Sequence, residues 1–221
     1  MRHFLILFYV LCFGYISAQD IDLDIIKIQK RTDTILEFSA EVKINVDISF
    51  VNIPEKSARI EYAKNEDTKV FSEDFVLIPK KGLDISLYQL FKNPFITVDR
   101  GTETRNLKTY KLINIIPTNK KADFSIATVL IDLDNSRVNE YEINTKKDGS
   151  YIVIMNYDKP SSILPSKIEV TFEIERIRIP LKYMGKDVQV NKEEYKSNEQ
   201  KTGTIFLSFN YTDLVYNSFT K

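Results

Sequence analysis

The chain has 221 residues, 43% hydrophobic and 28% charged, with 31 Lys and Arg against 31 Asp and Glu, so no bulk field points to nucleic acid or an anionic membrane. Its single cysteine, Cys12, and single histidine, His3, both fall within the first 18 residues. Once that segment is removed, Ser-His-Asp, Cys-His and His/Cys zinc sites have no residues to build them, and disulfides cannot add stability.

Residues 1–18, MRHFLILFYVLCFGYISA, read as a signal peptide with a basic start, an apolar core from Phe4 to Phe13 and the small Ala18 before the cut. The apolar run falls short of the ~20 residues that span a bilayer. Leu11, ahead of Cys12, is bulkier than the residue a lipidation site usually places there. Export leaves 19–221 as one domain, with 31 − 1 = 30 basic and 31 acidic residues and a formal charge of −1.

Next comes a predicted helix from Asp22 to Ile35. It places Leu23, Ile26 and Lys30 along one side with Ile25 and Ile28 nearby, and has acidic residues at its start. The segment Phe38, Ala40, Val42, Ile44, Val46, Ile48, Phe50 alternates without error with polar residues. That period predicts a half-buried strand about 40 Å long, with all seven side chains on one face.

Further strands are predicted at Ser57 to Tyr62, Thr68 to Phe71, Phe75 to Ile78, Phe95 to Asp99 and Thr109 to Ile116. Others follow at Phe124 to Leu133, Val138 to Thr145, Tyr151 to Tyr157, Lys167 to Glu175 and Thr204 to Tyr211. Turn chemistry separates most of them, as at Asp134-Asn135-Ser136 and Asp148-Gly149, so one antiparallel sheet in meander order is expected. A second short helix is expected from Asp84 to Lys92, with Leu87, Leu90 and Phe91 on one face and Asn93-Pro94 as a stop. Residues 183–203 are polar, weakly periodic and read as a long loop.

Two short helices cannot cover both faces of so large a sheet. The expected fold is therefore mainly β, a large curled antiparallel sheet forming a half-open, incomplete barrel closed by helices. Its apolar wall, Phe38, Ala40, Val42, Ile44, Val46, Ile48, Phe50, Ile60, Tyr62 and Phe172 with Leu87, Leu90 and Phe91 from the second helix, is the expected lining of a cavity for a lipid chain. Acidic clusters offer little else. Asp20, Asp22 and Asp24 suit a helix start, and Asp132-Leu133-Asp134-Asn135 has Arg137 where a calcium loop needs glycine, so neither metal nor cofactor is expected. Paired carboxylates for glycoside chemistry have no local motif to select them.

The layout resembles the periplasmic lipoprotein carriers of the LolA family and their relatives LolB and RseB. The resemblance rests on FSAEVKI at 38–44, ARIEY at 58–62, IPKKG at 78–82, LYQLFKNPF at 87–95, IDLDNSRVNEYEI at 131–143, DGSYIVIMNY at 148–157 and LPSKIEVTF at 164–172. It implies a non-enzymatic carrier in the periplasm that holds lipid or lipoprotein acyl chains during outer-membrane lipoprotein sorting, between membrane-bound donor and acceptor proteins. It also implies that Arg59, in the place of the family's strand arginine, tethers a helical lid. The alternative within the same fold is a periplasmic sensor or scaffold that binds a protein partner.

Overall fold

The computed structural model describes residues 21–72, 90–146, 149–173, 189–191, 193 and 202–217. Among these, helix α1 (Leu23–Thr32) is followed by β1 (Ile35–Ile48), β2 (Val51–Asn52), β3 (Lys56–Ala63) and β4 (Lys69–Phe71). Then come β5 (Phe95–Arg105), β6 (Lys108–Pro117), β7 (Phe124–Asp132), β8 (Arg137–Thr145) and β9 (Ser150–Asn156). The chain ends with β10 (Lys167–Glu173), β11 (Gln189–Val190) and β12 (Thr202–Tyr216).

These strands make one antiparallel sheet. From β5 to β10 the order is a meander, as expected, but β12 then lies between β10 and β1. The 14-residue β1 finds an equally long neighbour in the 15-residue β12, and so loses an otherwise open edge. On its other side β1 pairs with β3 and, beyond the Ser49-Phe50 turn, with β2; β4 extends β3, and β11 extends β2. No pairing joins β4 to β5 among the described strands, so the sheet stays open there.

Alternate residues of the strands meet in one buried cluster that runs from Ile44 and Ile60 through Leu207, Val170, Val153 and Tyr141 to Val129 and Ile113. A flat sheet could not bring these positions together, so the sheet curls around an apolar inner face. The curled, half-open architecture implied by the LolA resemblance is the one the chain adopts.

Several sequence expectations are corrected. The first helix stops at Thr32 rather than Ile35, because the Thr34 N–H and hydroxyl both donate to the Arg31 carbonyl in place of the i−4 bond that would continue the helix, turning the chain into β1. Its inward residues are Ile25 and Ile28, whereas Leu23 is 73% exposed. The long strand starts at Ile35 and ends at Ile48; Phe50 lies in the turn, still buried. Within 183–203, where the sequence suggests a loop, residues 189–190 form the short β11 and 202–203 begin β12, while 183–188, 192 and 194–201 lie outside the described residues. The expected strand at 75–78 and residues 84–89 of the second helix lie outside the described residues, while Leu90 and Phe91 are helical.

Candidate functional site

Helix α1 is specified at its start by Asp22, whose carboxylate accepts from the Asp24 N–H at 2.9 Å. At its end Lys30 and Arg31 oppose the negative pole of the helix. Between them, Ile25 and Ile28 are buried and belong to the same cluster as the inner face of the sheet. Three residues apart, the two side chains fall on the same side of the helix.

Apolar contact fixes what the helix rests on; polar contacts at its two ends fix where it rests. At the start, Lys111 Nζ of β6 reaches Asp22 Oδ2 at 2.7 Å and Asp24 Oδ2 at 2.9 Å, and the Asp22 N–H donates to Thr97 Oγ1 at 2.8 Å. Hydrogen bonding from Lys111, and then from Lys27, holds the Asp24 carboxyl below its usual range despite partial burial. Burial works against the Lys111 charge, yet Asp22 and Asp24 outweigh it and raise its pKa.

At the far end Arg31 grips two loops. Its guanidinium donates to the carbonyls of Asn135 and Ser136 in the β7–β8 turn, and to those of Ser161 at 2.8 Å and Ser162 at 3.2 Å in the β9–β10 connection. Burial and the nearby Arg137 lower the Arg31 pKa, but a guanidinium keeps its proton throughout.

Those loops are themselves braced. Asp132, fully buried at the end of β7, takes Lys108 at 2.7 Å and Arg137 Nε at 3.2 Å, and accepts from the Asn135 side chain at 2.7 Å. Arg137 stacks 4.2 Å above the Tyr157 ring and donates to the Lys159 carbonyl, and the Tyr157 hydroxyl donates to the Val138 carbonyl. The turn expected at Asp132 to Asn135 therefore serves as a socket for the helix.

Of the residues expected to line a cavity, Ala40, Val42, Ile44, Ile48, Phe50, Ile60, Leu90 and Phe172 are buried in the inner cluster, and Phe38, Val46 and Phe91 pack half-buried against it. Leu87 lies outside the described residues. Tyr62 stacks on Phe38 at 5.1 Å, Phe38 meets Tyr211 edge-on at 5.4 Å, and Tyr211 stacks on Phe209 at 5.6 Å. The four rings form a half-exposed band across β3, β1 and β12.

Arg59 is exposed and pairs with Glu61 on its own strand at 3.0 Å, while Ala58 and Ile60 on either side point inward. Among the described residues, cations bonded at the two ends of α1 include Lys111 at its start and Arg31, borne by the helix itself, at its end. No local pattern marked Arg31, because its acceptors are backbone carbonyls 104 to 131 residues away.

No family model and no curated protein sequence matches the chain. Solved structures do. A DUF1329 family protein from Desulfovibrio piger superposes with a TM-score of 0.51 at 8% identity, covering 90% of this chain and 92% of that one, a likeness of fold. A LolA superfamily protein from Nitrosomonas europaea gives 0.48 at 9% identity, over 87% and 93% of the two chains. A candidate outer membrane lipoprotein-sorting domain from Vibrio parahaemolyticus gives 0.44 at 12% identity, over 88% and 93%.

Proposed function

We propose that this chain is an exported, non-enzymatic carrier that shelters the acyl chain of a lipid or lipoprotein on the inner face of its sheet, with α1 as the movable cover. The observation that carries the reading is the division of labour in α1: its middle rests on the apolar cluster through Ile25 and Ile28, while its ends are held by Lys111 and Arg31. Such a cover exchanges one apolar surface for another. If Ile25 and Ile28 lift away, a cargo chain covers the wall they leave, and the polar contacts at either end re-form or are replaced by water.

Each buried methylene contributes about 0.8 kcal/mol, so roughly ten of them give about 8 kcal/mol, or a micromolar complex. The apolar leader with its Ala18 cut supports periplasmic placement, and membrane-bound donor and acceptor proteins would be the natural source and sink. Native mass spectrometry of the exported protein with a palmitoylated peptide and its unacylated form tests this. A stoichiometric complex with the acylated peptide alone is expected; binding of both forms, or of neither, would overturn the proposal.

A further inference from the structure

The two ends of α1 are held to the sheet in different ways. Its last turn runs directly into β1, where backbone bonds sew the chain in: the Thr34 carbonyl accepts from the Asn217 N–H at 2.9 Å and the Leu36 carbonyl from the Lys64 N–H at 2.8 Å. Its first turn, among the described residues, takes its polar hold from two side chains of the sheet. Lys111 reaches Asp22 and Asp24, and the Thr97 hydroxyl accepts from the Asp22 N–H. A cover that moves therefore lifts from its start, and carries Asp22 and Asp24 away from Lys111.

Lys111 is poorly placed to stand alone. It precedes the buried Ile113 and Ile115 on β6 by two and four residues and so shares their inward face, as do Thr97 and Asp99, their cross-strand partners. Its side chain is only 17% exposed, and burial works against its charge. With the helix lifted, the carboxylate that stays, among those described, is Asp99, at 3.7 Å and 55% exposed, a longer and wetter contact than the two that leave. An ammonium at the edge of an apolar wall then calls for another anion.

The cover itself has the outline of what would replace it. Asp22 and Asp24 come first and the buried Ile25 and Ile28 follow, an acidic head and an apolar body within about 9 Å of helix at ~1.5 Å per residue. We propose, resting on the carrier reading above, that the cargo is an amphiphile with an acidic head, a phosphodiester or a carboxylate. The head takes the place of Asp22 and Asp24 on Lys111, while the acyl chain takes the place of Ile25 and Ile28 on the wall. The Thr97 hydroxyl, an acceptor while the cover is down, donates to the same head. Closed and loaded states then both pair Lys111, so the exchange of cover for cargo leaves no buried charge uncompensated. A neutral lipid strips Lys111 of two carboxylates and returns nothing.

The test is calorimetric binding of three ligands with the same acyl chain to the exported protein, each below its critical micelle concentration: palmitoyl-lysophosphatidylglycerol, palmitate and the neutral monopalmitoylglycerol. Wild type should bind at least one acidic ligand about tenfold or more tighter than the neutral one, the worth of one charge-assisted hydrogen bond. Which of the two does so assigns the head as phosphodiester or carboxylate. Lys111→Gln should bring the three affinities together, whatever it does to their absolute values by loosening the cover. Asp24→Asn, which loosens the same contact but keeps the ammonium, should tighten all three and preserve the preference. Equal affinities in wild type, or a preference that survives in Lys111→Gln, overturn the inference and leave the carrier reading standing. Failure of all three ligands to bind wild type overturns both.

Discussion

Replacing Arg31 with alanine should loosen α1 without unfolding the sheet. The guanidinium makes strong bonds to the Asn135 and Ser161 carbonyls and longer ones to Ser162 at 3.2 Å and Ser136 at 3.4 Å. Counting the two strong bonds at about 1.5 kcal/mol each gives about 3 kcal/mol, from which the roughly 1.5–2 kcal/mol of side-chain entropy regained on truncation is subtracted. The net is about 1–1.5 kcal/mol, because the freed carbonyls lie at the rim, where water can replace the arginine. An opening equilibrium limited to the helix would then shift by about tenfold.

Hydrogen exchange read by mass spectrometry resolves where that shift occurs. In Arg31→Ala, amides of α1 should exchange about tenfold faster, while those of β1, β7 and β12 keep their wild-type protection. Arg31→Lys should resemble alanine more than wild type, since an ammonium cannot fork to two loops at once. Equal acceleration in α1 and the strands would show that Arg31 braces the whole fold, and unchanged exchange in α1 would show that the apolar contact alone holds it. Either result refutes the reasoning.

Two further outcomes follow from the geometry. Gly203 of β12 is paired between Ile48 and Phe172, and a Cβ there would stand 2.9 Å from Ile48 Cγ1 and from Phe172 Cζ, so Gly203→Ala should cost about 1–3 kcal/mol in urea unfolding; an unchanged midpoint would mean both neighbours can retreat. The lowered Asp24 pKa makes the start of α1 contribute stability above the unfolded carboxyl value near 3.8, lost as pH falls through the folded value. The raised Lys111 pKa makes it contribute below 10.5, lost as pH rises through the folded value. Between those limits, from about pH 5 to 9, these two groups add no pH dependence; Asp24→Asn should remove part of the acid-side loss seen by urea unfolding, and an unaltered acid limb would count against the ion pair.

The sequence by itself determined what depends on period and composition. The alternation from Phe38 to Phe50 made β1 and its inner face, because a pleated strand turns successive side chains to opposite faces whatever its neighbours are. The same logic located ten of the described strands to within a few residues at most ends, missing chiefly the distal part of β5, both ends of β12 and the two short strands β2 and β11. It could not rotate α1, since Leu23, Ile26 and Lys30 scan as a stripe almost as well as Ile25 and Ile28 do; Lys111 on β6 and the distant loop carbonyls that Arg31 reaches set that angle. Nor could it place β12 between β1 and β10, bring Arg31 to the carbonyls of two distant loops, or distinguish the wholly exposed Leu107 from the apolar residues that enter the core. Those outcomes depend on which distant backbone groups arrive beside a given residue. Only the curl of the sheet, which brings the loops of one end together around α1, decides that.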